Sequence, residues 1–390
     1  MPADGASLLI AAVSGRALAA SARRAGFVPL VADFFTDADT RQLAPSCYKL
    51  DDLRRGFRWK SLAPALEELA VAAPTPLLGV VYGSGFEDRP GLLTKIAERW
   101  PLLGNVPSVV ERVKSREVFF TELARLSIPH PRTVIDPAAA GSGWLAKRQG
   151  GAGGSHVVTS HIVTSHVAAA TTARRRSAKG RIYFQEKVEG RPVSALFAGT
   201  GTSARVLGFS EQWAAPTSRA KWRYGGAARP AELSQDLEAR LTDDVERVAQ
   251  CFALNGLGSA DFLVNGEEAS LLEVNPRPGA TLDIFDTEAE PLVRIHLEAV
   301  LDNRLPTVLR NLQAATASAI VYATEPITVT QTMIWPDWTA DRPRMGERID
   351  KDRPICTVWA RSRTKVEATR LVEERSSIIL AAYAGRQGGT

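Results

Sequence analysis

"SLLEVNPRPGATLD", residues 270–283, leaves an apolar run (Leu271, Leu272, Val274) to present Glu273 and Asn275 two positions apart. Pro276 and Pro278 then stiffen the exit on either side of Arg277. Side chains of a strand alternate with period two, so Glu273 and Asn275 share one face while Leu272 and Val274 share the other. Two oxygen-bearing side chains on one face suit a hard cation, since magnesium prefers oxygen ligands. A surface strand edge ending in a proline turn fits the same residues. The wider stretch "GLGSADFLVNGEEASLLEVNPRP" (256–278) reads as a β-hairpin: strand SADFLV, turn NGEE, strand SLLEVN. Asp261 precedes Glu273 by twelve residues, and such a hairpin can set them across from one another. Asp261, Glu273 and Asn275 then form one oxygen-rich face.

The rest of the chain narrows what this face serves. At 390 residues the prior is two or three domains. Hydrophobic content of 45% and charged content of 23% describe an ordinary globular protein, and no apolar run reaches the length of a membrane span. The start carries acidic Asp4 and no basic n-region, and it reads as a first strand rather than a signal peptide. Cys47, Cys251 and Cys356 are odd in number and widely spaced, which fits neither a disulfide framework nor a zinc site and suits a reducing cytoplasm. The net charge of +5 comes from scattered arginine, which fits anionic small substrates; no nucleic-acid signature is visible.

The first hundred residues alternate strands and helices: strand 8–13, helix 17–25, strand 27–33, helix 61–72, strand 77–86. This is a parallel α/β pattern. Gly15 and Asp33 hint at a dinucleotide fold, but G-x-G-x-x-G is missing. "YGSGFEDRP" (82–90) is a better candidate for a small-ligand loop at strand carboxyl ends, with a structural turn as the alternative. A Pro-bounded stretch, 101–107, reads as a boundary; within 111–133, Val113, Val118, Leu123 and Leu126 read as one helix with Lys114 early in it, which SIPHPRT (127–133) ends. Next, "GWLAKRQGGAGGSHV" (143–157) ends a strand at Lys147 and adds Gly150, Gly151, Gly153 and Gly154. Such a loop brings backbone N–H groups close to phosphate oxygens, with lysine as a point charge. It is not a P-loop, because the lysine precedes the glycines; a lid over a nucleotide and a plain linker both fit.

His156, His161 and His166 repeat every five residues, a spacing that gathers the rings on neither a strand nor a helix. The basic run 171–181 reads as a solvated loop. "IYFQEKVEG" (182–190) reads as a strand whose end can hydrogen-bond an adenine edge. Beyond residue 305 come short strands and a closing helix (365–375), a small β-rich lobe in which Trp335 and Trp338 read as packing residues.

The order of these parts resembles the ATP-grasp superfamily over roughly residues 5–300, most closely its carboxylate–amine ligases and biotin-carboxylase-like members. "LEVNPRP" is the most specific piece. The resemblance implies an α/β and α+β architecture: an N-terminal parallel (pre-ATP-grasp) domain over 1–105, an ATP-grasp domain over 106–304 with its lid at about 130–182, and a β-rich C-terminal lobe over 305–390. It implies that Lys114 and Lys147 bind ATP phosphates, and that Gly150, Gly151, Gly153 and Gly154 form the mobile lid. Glu186 with the backbone of Lys187 and Val188 is similar to the adenine hinge. Asp261, Glu273 and Asn275 look like ligands for magnesium, or manganese in its place, with Glu273 bridging two ions. Lys147 and Arg277 are the implied catalytic residues, Arg277 steadying an acyl phosphate or carboxylate. One departure concerns the ribose: many members carry an acidic residue just after the hinge glycine, where this chain has Arg191-Pro192-Val193, and Glu189 is a substitute candidate.

The implied activity is ATP-dependent joining of a small-molecule carboxylate to an amine through an acyl phosphate, by a cytoplasmic enzyme that could act as a homodimer. The stretch "ADRPRMGERIDKDRPICTVWA" resembles the tail of ATP-grasp proteins near one-carbon pterin and furan cofactor biosynthesis, which implies an amino acid such as glutamate as one substrate. An ATP- and bicarbonate-dependent carboxylase and a non-catalytic ATP sensor are the two rival readings.

Overall fold

The structure is a computed structural model that describes residues 5–151, 153–154, 157–159, 182–307, 314–330 and 334–384. The histidines at 156, 161 and 166 and the basic run up to 181 lie outside these residues.

The N-terminal part follows the order β1 (Ser7–Ala11), α1 (Arg16–Arg24), β2 (Val28–Asp33), α2 (Ala38–Leu43), β3 (Ser46–Lys49), α3 (Trp59–Val71), β4 (Leu77–Tyr82), α4 (Gly91–Ala97) and β5 (Leu102–Leu103). The strands pair in parallel in the order β3-β2-β1-β4-β5. Leu8, Leu9 and Ile10 are wholly buried, as expected where helices cover both faces of a parallel sheet. The chain reverses its direction of winding between β1 and β4, so the loops after those two strands diverge at the carboxyl edge, where open α/β sheets bind ligands.

Two helices follow, α5 (Pro107–Lys114) and α6 (Arg116–Arg125). The single helix expected from residue 111 up to SIPHPRT (127–133) is therefore broken at Ser115, whose extended backbone (φ −72°, ψ 109°) ends one helix and starts the next. Lys114 closes α5 rather than opening a longer helix. A small sheet then forms from β6 (Thr133–Val134), β7 (Leu145–Arg148), β8 (Val158–Thr159) and β9 (Ile182–Gln185), in the order β6-β9-β7-β8.

The central sheet is built from β10 (Arg191–Thr200), β11 (Ala204–Ala214), β12 (Tyr224–Arg229), β13 (Asn255–Asn265) and β14 (Glu268–Asn275), with α7 (Gln235–Cys251) packed on it and α8 (Leu282–Phe285) and α9 (Leu292–Asp302) following. The C-terminal segments are β15 (Ala315–Tyr322), β16 (Ile327–Thr328), β17 (Thr339–Ala340), β18 (Arg348–Ile349), β19 (Pro354–Ser362) and α10 (Lys365–Ala384). Strands β15, β19 and β17 extend the central sheet, giving the order β14-β13-β10-β11-β12-β15-β19-β17. Trp335 and Trp338 pack against the apolar cluster of this region, and Arg375 lies 5.2 Å from the Trp338 ring.

One apolar cluster runs without interruption from Leu8, Leu18 and Phe27 to Leu196, Leu257, Phe285 and Leu292. The N-terminal sheet and the central sheet thus share a core, which holds the carboxyl-edge loops of the first against the hairpin of the second. Asn105 reinforces this seam. Its side chain donates to the carbonyls of Asn255 (2.9 Å) and Pro276 (3.0 Å) and accepts from the Asn255 N–H (2.7 Å).

Candidate active site

The hairpin β13–β14 pairs Asp261 with Glu273 and Ser259 with Asn275. The register shifts just beyond Asp261, so Leu272 is an extra residue on β14 and Asp261 and Glu273 stay on one face. Ser194, opposite Asp261 on β10, donates its hydroxyl to Asp261 Oδ1 at 2.6 Å. Asn275 donates from Nδ2 to Asp261 Oδ2 at 3.0 Å and turns Oδ1 to Lys114 Nζ at 2.8 Å. Lys114 also lies 3.4 Å from Glu273 Oε2. Burial and the facing Glu273 carboxylate push the Asp261 carboxyl up to about 6, against the opposing effects of Ser194, Lys114 and Arg277. Two crowded carboxylates and an amide make an oxygen-only donor set that fits a hard divalent cation. Among the described residues no three His, Cys, Asp or Glu side chains form a metal cage.

Lys147 reaches the same face from β7. Its ammonium donates to Gln185 Oε1 at 2.5 Å; burial lowers its pKa, while Glu273 and Asp261 pull the other way. Gln185, the last residue of β9, in turn donates to Thr133 Oγ1 at 3.2 Å. Glu186 to Gly190 connect β9 of the small sheet to β10 of the central sheet, so the expected hinge lies where the two sheets join. Glu186 and Lys187 are exposed and Val188 is half-buried. Arg191 is tied to Glu211 and to the Glu232 carbonyl, and Glu189 pairs with Lys187.

A small hollow is lined by Lys114, Arg116, Gln149, Gly150, Tyr183 and Glu273, among others. Arg116, buried, donates to Gln149 Oε1 at 3.0 Å. Arg116, Gln149 and Tyr183 escaped the sequence reading. The break at Ser115, which turns Arg116 into the hollow's wall, has no glycine or proline to mark it.

The glycines of the 150–154 loop serve close packing as well as backbone freedom. A Cβ on Gly150 (φ +72°) would lie 2.7 Å from Asp88 Cα, and one on Gly154 (φ +71°) 1.7 Å from the Trp222 carbonyl oxygen. Gly150 lies down on residues 87–88 and Gly154 on Trp222, and the Tyr224 N–H at the start of β12 donates to Gly153 O at 3.3 Å. Gly154→Ala is expected to lift the loop, raise amide exchange at 149–154 and weaken ATP binding roughly tenfold. Unchanged exchange and nucleotide affinity would show that the close approach is dispensable.

Arg277 does not pair with Asp283 or Asp286. Its Nε donates to Glu87 Oε1 at 2.7 Å, and both side chains are buried. Glu87 belongs to the 82–90 loop after β4, and its other oxygen accepts from the Gly85 N–H at 2.8 Å. Burial would raise the Glu87 pKa, but the charges of Arg277 and Lys114 and backbone hydrogen bonds hold it down at about 2. The sign follows directly: Glu87 contributes stability above its unfolded pKa of 4.5, and loses it as pH falls towards about 2. Glu87→Gln is expected to cost about 2 kcal/mol near pH 7 and to flatten the acid limb of the stability curve. Urea titrations of both proteins across this pH range check it; parallel curves would remove Glu87 as the cause.

Comparison with known proteins bears on this geometry. A family profile described as an ATP-grasp domain matches residues 115–281. The carbamoyl phosphate synthase large chain of Rubrobacter xylanophilus is 23% identical over 223 residues, which is 52% of this chain and 20% of that protein. The chain thus spans about a fifth of the length of this curated relative. The biotin carboxylase domain of Hydrogenobacter thermophilus 2-oxoglutarate carboxylase, solved with MgADP, ADP and bicarbonate, superposes with a TM-score of 0.73 at 13% identity, over 97% of this chain and 90% of that one. An L-amino acid ligase from Bacillus licheniformis gives 0.70 at 13% identity, over 96% and 98%. N5-carboxyaminoimidazole ribonucleotide synthetase from Thermotoga maritima gives 0.63 at 15% identity, over 96% and 98%. The parallel sheet, the small four-stranded sheet and the hairpin that carries Asp261, Glu273 and Asn275 together have the fold of these solved structures, and residues 115–281 match the ATP-grasp domain profile.

Proposed function

We propose that the protein is an ATP-dependent carboxylate–amine ligase that works through an acyl phosphate. The observation that carries this reading is the convergence of Lys114 and Lys147 on the Asp261–Glu273–Asn275 face, with buried Arg277 at its exit. A substrate carboxylate oxygen attacks the γ-phosphorus, the bond from that phosphorus to the β–γ bridging oxygen breaks, and ADP leaves. A neutral amine then attacks the acyl carbon. The C–N bond forms, the C–O bond to phosphate breaks, and inorganic phosphate and a proton are released. The reaction needs positioning and charge neutralisation rather than a protein nucleophile.

Magnesium, or manganese, held by Asp261, Glu273 and Asn275 would neutralise phosphate charge and align the γ-phosphoryl group. Lys114 and Lys147 would grip the phosphates; Lys114 would then exchange its contact with Asn275 Oδ1 for a phosphate oxygen. Glu186 and the backbone of Lys187 and Val188 would receive the adenine, and the Gly150–Gly154 loop would cover the phosphates and exclude water. Arg277 would hold the carboxylate or acyl phosphate through its remaining donors. Cytoplasmic location, homodimerisation, domain limits at 105/106 and 304/305, and glutamate as one substrate on a path to a one-carbon cofactor are parts of the same reading. On location, the described residues contribute only that no helix is long and apolar enough to cross a membrane.

A phosphate-release screen of amino acids against amine acceptors, with ATP and magnesium, tests the reading. Release that needs both an acid and an amine supports it. Release driven by bicarbonate alone would instead make the protein a carboxylase, and nucleotide binding without turnover across the screen a sensor.

A further inference from the structure

One hydrogen-bonded chain of side chains crosses three strands of the small sheet. Thr133 on β6 is the register partner of Gln185 on β9. Lys147 on β7 stands opposite Tyr183, two residues before Gln185. Lys147 and Gln185 are therefore diagonal neighbours on one face, within reach of each other for long side chains. The Thr133 hydroxyl donates to the Pro131 carbonyl at 3.1 Å, and its oxygen accepts from Gln185 Nε2 at 3.2 Å. That sets the direction of the amide. Gln185 Oε1 faces the other way and accepts from Lys147 Nζ at 2.5 Å. A flipped amide would turn its N–H groups onto an ammonium, donor against donor.

Gln185 is only 1% exposed, and both ends of its amide are engaged inside the protein. It is thus built to hold a neighbour rather than to touch a ligand. Lysine carries its charge on a flexible four-carbon stem, and fixing that stem before a ligand arrives lowers the entropy lost on binding. An ammonium has three N–H groups, so one donated to Gln185 leaves two for phosphate oxygens. The partner is also neutral. Glu273 and Asp261 act on Lys147 through their charge, whereas the group in contact with it cancels none of its own.

The same short segment anchors the start of the hinge. Glu186 N–H donates to the Arg132 carbonyl at 2.9 Å, next to the Pro131 carbonyl and the Thr133 hydroxyl. Residues 131–133 therefore fix both Glu186, where the adenine would lie, and, through Gln185, the Lys147 ammonium. The distance between the two is set by the protein before a nucleotide binds.

We infer that Gln185 is a positioning residue, which aims the Lys147 ammonium at the nucleotide's phosphates through a neutral acceptor oriented by Thr133. This rests on the reading above, in which Lys147 grips those phosphates. Gln185 acts through Lys147 and makes no contact with the nucleotide through its side chain.

The test is calorimetric titration of the full chain with ADP and with adenosine, in the presence of magnesium. Gln185→Met keeps the length of the side chain and removes the acceptor. It is expected to weaken ADP binding roughly tenfold, as for a lost hydrogen bond to a charged group, and to leave adenosine binding within about twofold. Gln185→Glu retains an acceptor oxygen and should recover most of the ADP affinity. In a Lys147→Met background, Gln185→Met should have no further effect on ADP, because the group it aims is gone. Thr133→Val, which frees the amide to turn, is the second variant if Gln185→Met folds poorly, with an expected loss of about threefold for ADP alone. Unchanged ADP affinity in the folded variants, an equal loss for adenosine, or a full loss that persists without Lys147 would overturn the inference. Absence of ADP binding to the unaltered protein would instead sink the reading it rests on, and this inference with it, so the two failures are distinguishable.

Discussion

Glu273→Gln is expected to leave the fold and nucleotide affinity largely intact and to cut turnover about a thousandfold, near 4 kcal/mol of lost transition-state stabilisation. Glu273 stands opposite Asp261 across the hairpin and 3.4 Å from Lys114. Its side chain is 37% exposed, so little packing depends on it. Replacing it by the neutral amide relieves repulsion with Asp261, whose carboxyl the Glu273 charge helps to push up. A stability effect near zero, or slightly positive, follows. The loss should therefore lie in chemistry, because an amide is a weaker ligand for the metal that aligns the γ-phosphoryl group. Raising magnesium or manganese should restore part of the rate if the defect is metal affinity. Near-normal ADP production by the variant would take Glu273 out of the mechanism.

The legible and illegible parts of the molecule divide on physical grounds. The hairpin could be read because period-two alternation and an Asn-Gly turn are local signals, and Asp261 and Glu273 do face each other. The parallel α/β start could be read from near-continuous apolar strands such as Leu8–Ile10. The break at Ser115 could not, because it depends on how α5 and α6 pack and not on a helix-breaking residue. Strands of two residues, such as β5 and β17, carry too few side chains for any period to show. The pairing of β15 with β12, which makes the C-terminal strands an extension of the central sheet, joins segments far apart in sequence. Ion pairs between distant segments were equally hidden. Asp283 and Asp286 lie near Arg277 in sequence, yet Asp283 is taken by Arg16 and Asp286 by Ser21 and Arg24. The true partner, Glu87, lies 190 residues away.

That partner sharpens the expectation for Arg277. Its backbone N–H donates to the Asn275 carbonyl at 2.9 Å, so the turn through Pro276 fixes it just beyond the metal-facing strand. Glu87 takes Nε at 2.7 Å, and Nη1 makes a long contact, 3.4 Å, with the Pro278 carbonyl. A guanidinium held at Nε can still offer its outer N–H groups to a carboxylate or acyl phosphate, and the Glu87 contact fixes their direction. Lysine has one charged nitrogen and cannot satisfy Glu87 and a substrate with the same fixed geometry. Arg277→Lys is therefore expected to keep ATP affinity within a few-fold and to lower turnover about a hundredfold, roughly 3 kcal/mol. Because an ammonium can still neutralise buried Glu87, melting temperature should fall less than in Arg277→Ala, where that carboxylate loses its partner. The opposing case is a purely structural pair. Arg277→Lys would then lose stability and nucleotide binding together, and turnover per folded molecule would stay near that of the unaltered protein. Melting temperature, ATP affinity and turnover measured on one preparation separate the two, and the second pattern would remove Arg277 from the chemistry.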